Sequence, residues 1–225
     1  MIWFAVTEPL SKAKTNANYH LAKYTLEQIA GDICLEINYA QVNYARFKEM
    51  RPWAIVHSGG PTPIRSHGIL EERDYIECLR EWSVPQFCIC KSHQMLGAAL
   101  GGITVDAMRP LRPGEQDSDP SYYSGFYKES GMQSVQVLKD DQILGTAGST
   151  LAISQSHAEE LKGVPEGFEL LASSADCEVQ ALRSLPGAPL RYSTQFHPER
   201  HNDRHPDGCL ILERFFKLAH KLGKQ

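Results

Sequence analysis

The stretch from Val84 to Gly97 constrains the fold most, because two kinds of element meet in it without a spacer. An apolar run of strand length reaches Cys90, and a helix-compatible run, Lys91 to Leu100, begins directly after it and is closed by Gly101-Gly102. Cys90 therefore stands at a strand-to-helix corner. At such a corner a side chain is pushed out of the fold, and the free N–H groups and positive dipole end of the helix favour a thiolate over a thiol. Those are the needs of a nucleophile. Cysteine is also commonly buried for packing alone, and strand followed by helix is the ordinary unit of any α/β protein, so the corner by itself leaves a core role open. Cys88 is expected to share the strand face of Cys90 and to be inert within the strand. A single Cys-x-Cys is a weak zinc pattern.

The chain around this corner alternates. Ile2 to Val6 reads as a strand, Ser11 to Asn18 as a polar loop, and Tyr19 to Ala30 as a helix with Leu21, Tyr24, Leu26 and Ile29 at helical spacing. Cys34 to Tyr39 and Trp53 to Val56 follow as strands, and Glu71 to Trp82 as an amphipathic helix leading into the Cys90 strand. Such alternation is the pattern of a parallel sheet with right-handed crossovers, whose ligands bind at the carboxyl ends of the strands. The Ser58-Gly59-Gly60 loop and Cys90 both lie at such ends. In the second half, residues 103–105, 134–138, 151–153, 168–172 and 179–182 are short strands between turn residues, which predicts antiparallel meanders. Residues 210–222 form the last helix, with Leu210, Leu212, Phe215, Phe216 and Leu218 as its apolar face. The 225 residues, 42% of them hydrophobic, suit one α/β domain over 1–225 with a full core.

A net charge of −4 gives no basic footprint for nucleic acid and no polybasic membrane patch, so small molecules are the expected partners. No apolar run approaches the length of a membrane span, and Met1 to Val6 has none of the marks of a signal peptide. A cytoplasmic protein is expected, with its six dispersed cysteines reduced.

A cysteine nucleophile needs a base, and the base an orienting acceptor. The segment Gln195-Phe196-His197-Pro198-Glu199 supplies both: if it is extended, His197 and Glu199 face one pocket together. The oxyanion formed by attack on a carbonyl needs two backbone donors, for which Gly59 and Gly60 permit close approach and the amide of Lys91 follows the nucleophile. Singly, each piece has a plain reading as turn, surface histidine or solvated carboxylate. Their joint appearance at strand ends favours an active site. His197, His201 and His205 are spaced by four, but Pro198 and Pro206 break the helix that a metal site on one face would need, so a charged, solvated loop over 200–207 is expected. Residues 117–131, with Tyr122, Tyr123, Phe126 and Tyr127, form a long aromatic loop that suits a lid, a partner site or a plain surface excursion.

Taken in order, Ser58-Gly59-Gly60-Pro61, the elbow Cys90-Lys91-Ser92-His93-Gln94-Met95-Leu96 and Gln195-Phe196-His197-Pro198-Glu199 resemble the class I (triad) glutamine amidotransferase domain over nearly the whole chain. The segment from Ser156 to Gln180 is most similar to the stand-alone, GMP-synthetase-like branch. The resemblance implies a flavodoxin-like three-layer sandwich and hydrolysis of a γ-glutamyl amide through a thioester, without a metal, nucleotide or redox cofactor. It makes Cys90 the nucleophile, His197 the base and then acid, and Glu199 its partner, with oxyanion donors at Gly60 and Lys91. Gly59, Gln94, Ser156 and His157 match substrate-contacting positions. Cys88 and Ser92 depart from it, because they occupy the two usual glycine positions of the elbow, where glycine relieves crowding around a strained nucleophile. Three readings follow: a glutaminase passing ammonia to a synthetase on another polypeptide, a self-contained hydrolase or transferase of γ-glutamyl conjugates, and a non-catalytic binding protein.

Overall fold

A computed structural model describes residues 1–66 and 68–223. Its first half runs β1 (Ile2–Val6), α1 (Leu10–Ala13), α2 (Ala17–Ala30), β2 (Cys34–Asn38), α3 (Tyr44–Met50), β3 (Ile55–His57), α4 (Arg73–Glu81), β4 (Gln86–Ile89) and α5 (Lys91–Gly101). Seven strands follow: β5 (Val105–Ala107), β6 (Glu129–Val137), β7 (Thr150–His157), β8 (Glu159–Leu161), β9 (Phe168–Ser173), β10 (Ala181–Ser184) and β11 (Arg191–Thr194), before the final α6 (Asp207–Leu222).

One sheet takes nine of these strands in the order β2-β1-β3-β4-β11-β10-β9-β6-β7, and β5 pairs with β8 beside it. From β2 to β11 every pairing is parallel, and from β11 to β7 every pairing is antiparallel. The sequence-based expectation of a parallel first half and an antiparallel second half is thus met. A further result is that β11, from the end of the chain, lies beside β4 and joins the two halves.

Strand alternation divides the interior into two layers. Ile2, Phe4 and Val6 of β1 pack with Leu26 of α2 and with Ile211, Leu212, Phe215 and Phe216 of α6 on one face. Trp3 and Ala5 face the other way, onto Tyr75, Cys78 and Leu79 of α4 and Met95 and Leu96 of α5. Each fully buried side chain of this kind contributes roughly 1.5–3 kcal/mol, so both faces hold the sheet firmly. With helices on both sides, the chain is a flavodoxin-like three-layer sandwich extended by antiparallel strands.

Several local expectations are corrected. Leu21 and Tyr24 of α2 are exposed, because the sheet-facing stripe runs instead through Tyr19, Ala22, Leu26 and Ile29. In α6, Leu210 is exposed while Ile211 and Ala219 are buried. The polar stretch after β1 contains the one-turn α1, and residues 129–131 of the aromatic loop belong to β6.

Candidate active site

Cys90 is the N-cap of α5, at φ 51° and ψ −106°, in the half of dihedral space that non-glycine residues avoid. Four hydrogen bonds impose this conformation. The Cys90 N–H donates to Thr194 O at 2.7 Å, continuing the β4–β11 ladder, and its carbonyl accepts from Gln94 N–H at 3.1 Å, opening the helix. The Ser92 hydroxyl accepts from Ile89 N–H at 2.7 Å and donates to His57 O at 2.9 Å, which closes the corner. Ser92 at the second glycine position is therefore a clasp between β3, β4 and α5. The positive φ also separates the two cysteines, against expectation. Cys88 packs in the α4–α5 layer, where burial pushes its thiol up to about 12, whereas Cys90 lies on the opposite side of the sheet.

His197 and Glu199 meet as the sequence pattern requires, though on a different backbone. Only Arg191–Thr194 is strand, and Pro198–Arg200 forms a turn of 3-10 helix. That turn carries Glu199 Oε1 to 2.7 Å from His197 Nδ1. A carboxylate only accepts, so Nδ1 holds the proton and Nε2 is the free end. Among the described residues, Nε2 is buried without a well-formed hydrogen-bond partner. Burial pulls the imidazole down, but the charges of Glu199 and Cys90 outweigh it and raise His197 to about 9. Burial likewise pushes Glu199 up, and His197 more than reverses this.

Gly59 lets His197 and Cys90 approach each other. A Cβ on Gly59 would lie 2.9 Å from His197 Cε1 and 3.1 Å from Cys90 Cβ, so both side chains rest on the same bare backbone. Gly60 is as closely packed on its other side, where a Cβ would meet Glu8 Oε1 at 2.4 Å. Glu8, at the end of β1, is almost fully buried; its Oε1 accepts from Thr62 N–H at 2.9 Å and pairs with Lys91 Nζ at 2.5 Å. Burial raises this carboxyl, but the bonds from Lys91 and Thr62 prevail and hold it below its usual range.

Of the remaining sequence candidates, Ser156 is exposed and its carbonyl lies 4.0 Å from the Cys90 sulfur. His157 is buried, with Nε2 2.8 Å from Glu129 Oε2 and Nδ1 3.0 Å from Glu159 O. Gln94 donates to Glu159 O at 2.8 Å and to Gln195 Oε1 at 3.1 Å, and Gln195 in turn donates to the Cys90 sulfur at 3.6 Å. Sequence reasoning missed Glu8, Gln195 and Glu159 as site neighbours. Gln195 lies inside the motif that carries His197 and Glu199, while nothing local distinguishes Glu8 or Glu159. His201 turns its Nδ1 to Pro198 O at 3.0 Å, and among the described residues no group of three metal-ligating side chains converges.

Two cavities meet at Cys90. A small one of about 70 Å³ is lined by Gly60, Lys91, Gln94, His157, Glu159 and Tyr122. Tyr123 of the aromatic loop latches over this side, its hydroxyl donating to Glu159 Oε1 at 2.6 Å. The other cavity, of about 520 Å³, opens between α2 and the His197–Arg200 turn and reaches Gly59 and Ser156. The arrangement can activate a thiol and hold an oxyanion at the head of α5, with the larger cavity open to one side of Cys90.

Among known proteins, the family model for glutamine amidotransferase class-I matches residues 17–218. One subunit of the glutamine-hydrolyzing GMP synthase of Pyrococcus abyssi is 30% identical over 177 residues, covering 78% of this chain and 80% of its own, and its counterpart from Thermococcus kodakarensis is 31% identical over 180 residues, covering 78% and 80%. The glutaminase domain of Trypanosoma brucei CTPS, solved with bound acivicin, superimposes with a TM-score of 0.67 at 17% identity, over 98% of this chain and 94% of that one. No described helix is long and apolar enough to cross a membrane. With a family model covering most of its length and the same fold beneath, the chain belongs to the class I glutamine amidotransferase family.

Proposed function

We propose that this protein hydrolyses the side-chain amide of glutamine through a γ-glutamyl thioester on Cys90 and releases the ammonia to a synthetase on a separate polypeptide. The observation that carries the reading is the positive-φ Cys90 elbow sharing the bare backbone of Gly59 with the His197–Glu199 pair. The archaeal relatives support the partner, since each is one subunit of a glutamine-hydrolyzing GMP synthase.

The Cys90 thiol passes its proton to His197 Nε2, the sulfur attacks the amide carbon, and the carbonyl electrons move to oxygen, where the N–H groups of Gly60 and Lys91 receive them. As the tetrahedral centre collapses, the carbon–nitrogen bond breaks and His197 gives its Nε2 proton to the leaving nitrogen, freeing ammonia. Neutral His197 then takes a proton from water, which attacks the thioester and releases glutamate and the sulfur. Glu199 keeps Nδ1 protonated throughout and stabilises the imidazolium. Gln94, Ser156 and His157 line the side of Cys90 where the amino-acid end of the substrate is held.

The larger cavity favours a second reading. An amine bulkier than ammonia fits the space of about 520 Å³ beyond His197, as a γ-glutamyl conjugate would require. Intact-protein mass spectrometry with glutamine and an ammonia assay, with Cys90→Ala as control, test the first reading. We expect Cys90-dependent ammonia release and complete loss in the variant. Turnover retained by purified Cys90→Ala sinks the mechanism, and silence on glutamine with turnover of γ-glutamyl amines selects the second reading.

A further inference from the structure

The two proposed oxyanion donors come from different elements. Gly60 belongs to the loop after β3 and Lys91 opens α5, each three residues beyond the last pair of the β3–β4 ladder, His57↔Cys88, which together with the Ser92 clasp sets the two strand ends. Past that point one carboxylate links the loop to the helix. Glu8 Oε1 accepts from Thr62 N–H at 2.9 Å and pairs with Lys91 Nζ at 2.5 Å, while Oε2 accepts from the Thr62 hydroxyl at 2.7 Å. The same carboxylate packs onto the Cα of Gly60, where even a methyl group would meet it at 2.4 Å. Its own backbone is pinned, since Glu8 O accepts from Asn38 Nδ2 at 2.8 Å, and Lys12 Nζ donates to the Thr62 hydroxyl at 2.8 Å.

Both partners of this ion pair are buried, Glu8 at 1% and Lys91 at 3% side-chain exposure. Two charges withdrawn from water are weak evidence for stability, because desolvation offsets most of their attraction. A buried pair makes sense where a fixed distance is the gain.

We infer that Glu8 is a positioning residue that sets the spacing of the Gly60 and Lys91 N–H groups, an inference that rests on the reading of those groups as the oxyanion hole. The loop reaches Glu8 through Thr62 and the helix reaches it through Lys91, so one side chain holds both halves of the hole.

The test compares two reactions of one sulfur in the full chain, each followed at Cys90 by mass spectrometry. p-Nitrophenyl acetate acylates the sulfur through a tetrahedral oxyanion and expels nitrophenolate; iodoacetamide alkylates it by displacing iodide and forms no oxyanion. In Glu8→Ala the acylation rate should fall about 100-fold, as for loss of an oxyanion donor, with alkylation close to wild type. An unchanged ratio of the two rates, or an equal loss in both, overturns the inference.

Glu8→Ala also leaves the Lys91 charge buried and unpaired, so Glu8→Ala with Lys91→Met removes that complication. If the pair serves folding alone, the double variant regains acylation and the inference falls. If it positions the hole, acylation stays low in a well-folded protein. Where Glu8→Ala alone does not fold, the double variant decides. Neither probe is glutamine, so failure of wild type on glutamine counts against the proposed function and not against this inference. A wild-type ratio no higher than that of glutathione means there is no working oxyanion hole, and overturns it.

Discussion

At the scale of single residues, His197 carries the most specific pH signature. The imidazole is raised to about 9 from an ordinary 6.5 by Glu199 and Cys90 against the cost of burial. A raised folded-state pKa means that protonated His197 favours the folded chain. This contribution is full below pH 6.5 and is lost as pH rises through about 9. In the proposed mechanism the same proton is the one given to the leaving nitrogen. We therefore expect kcat/KM for ammonia release to fall on an alkaline limb near pH 9, and Glu199→Gln to move that limb down toward 6.5. A limb that stays in place in Glu199→Gln would show that another group sets it. The residues of this pair were legible in the sequence because Phe196 to Glu199 are contiguous. Glu8 was not: 83 positions separate it from Lys91, and no spacing rule connects the end of β1 to the start of α5.

At the scale of elements, the Cys90 elbow is a junction of β3, β4 and α5 held by one hydroxyl. If strain from Ser92 at the second glycine position limited the elbow, Ser92→Gly would raise activity. The contacts of the hydroxyl argue for the opposite outcome, because Ser92 satisfies the buried Ile89 N–H and reaches His57 O. Removing it orphans a buried donor and places glycine in the first turn of a helix. Ser92→Gly should lower stability by about 2 kcal/mol in urea unfolding and lower turnover with it. Unaltered stability would show that the hydroxyl contributes nothing. The corner itself was visible from an apolar run meeting a helical run. Its handedness was not, since strand alternation placed Cys88 and Cys90 on one face and the φ of 51° puts them on opposite sides.

At the scale of the whole molecule, β11 decides how the two halves join. Arg191 at its start is fully buried and donates to the carbonyls of Leu79, Trp82 and Pro189, tying the seam strand to the end of α4. Those of Leu79 and Trp82 are unsatisfied acceptors of the last helical turn and just beyond, where a cation is favourable. Arg191→Met keeps the volume and loses every one of these bonds. It should cost roughly 3 kcal/mol, read as a lower urea midpoint with the slope unchanged. A midpoint equal to wild type would refute the seam role.

Read without its fold, the chain already specifies the alternation of strands and helices, the corner at Cys90, the glycine pair at 59–60 and the His197–Glu199 pair. All are written within a few adjacent residues, because backbone sterics and side-chain periodicity act locally. Tertiary packing alone settles which strand lies beside β4, how Leu21 and Tyr24 come to face outward, and which carboxylate lies under the Gly59–Gly60 loop. Those depend on contacts between residues far apart in the chain. They are fixed when burial of the whole sheet selects one packing among the many that local patterns allow.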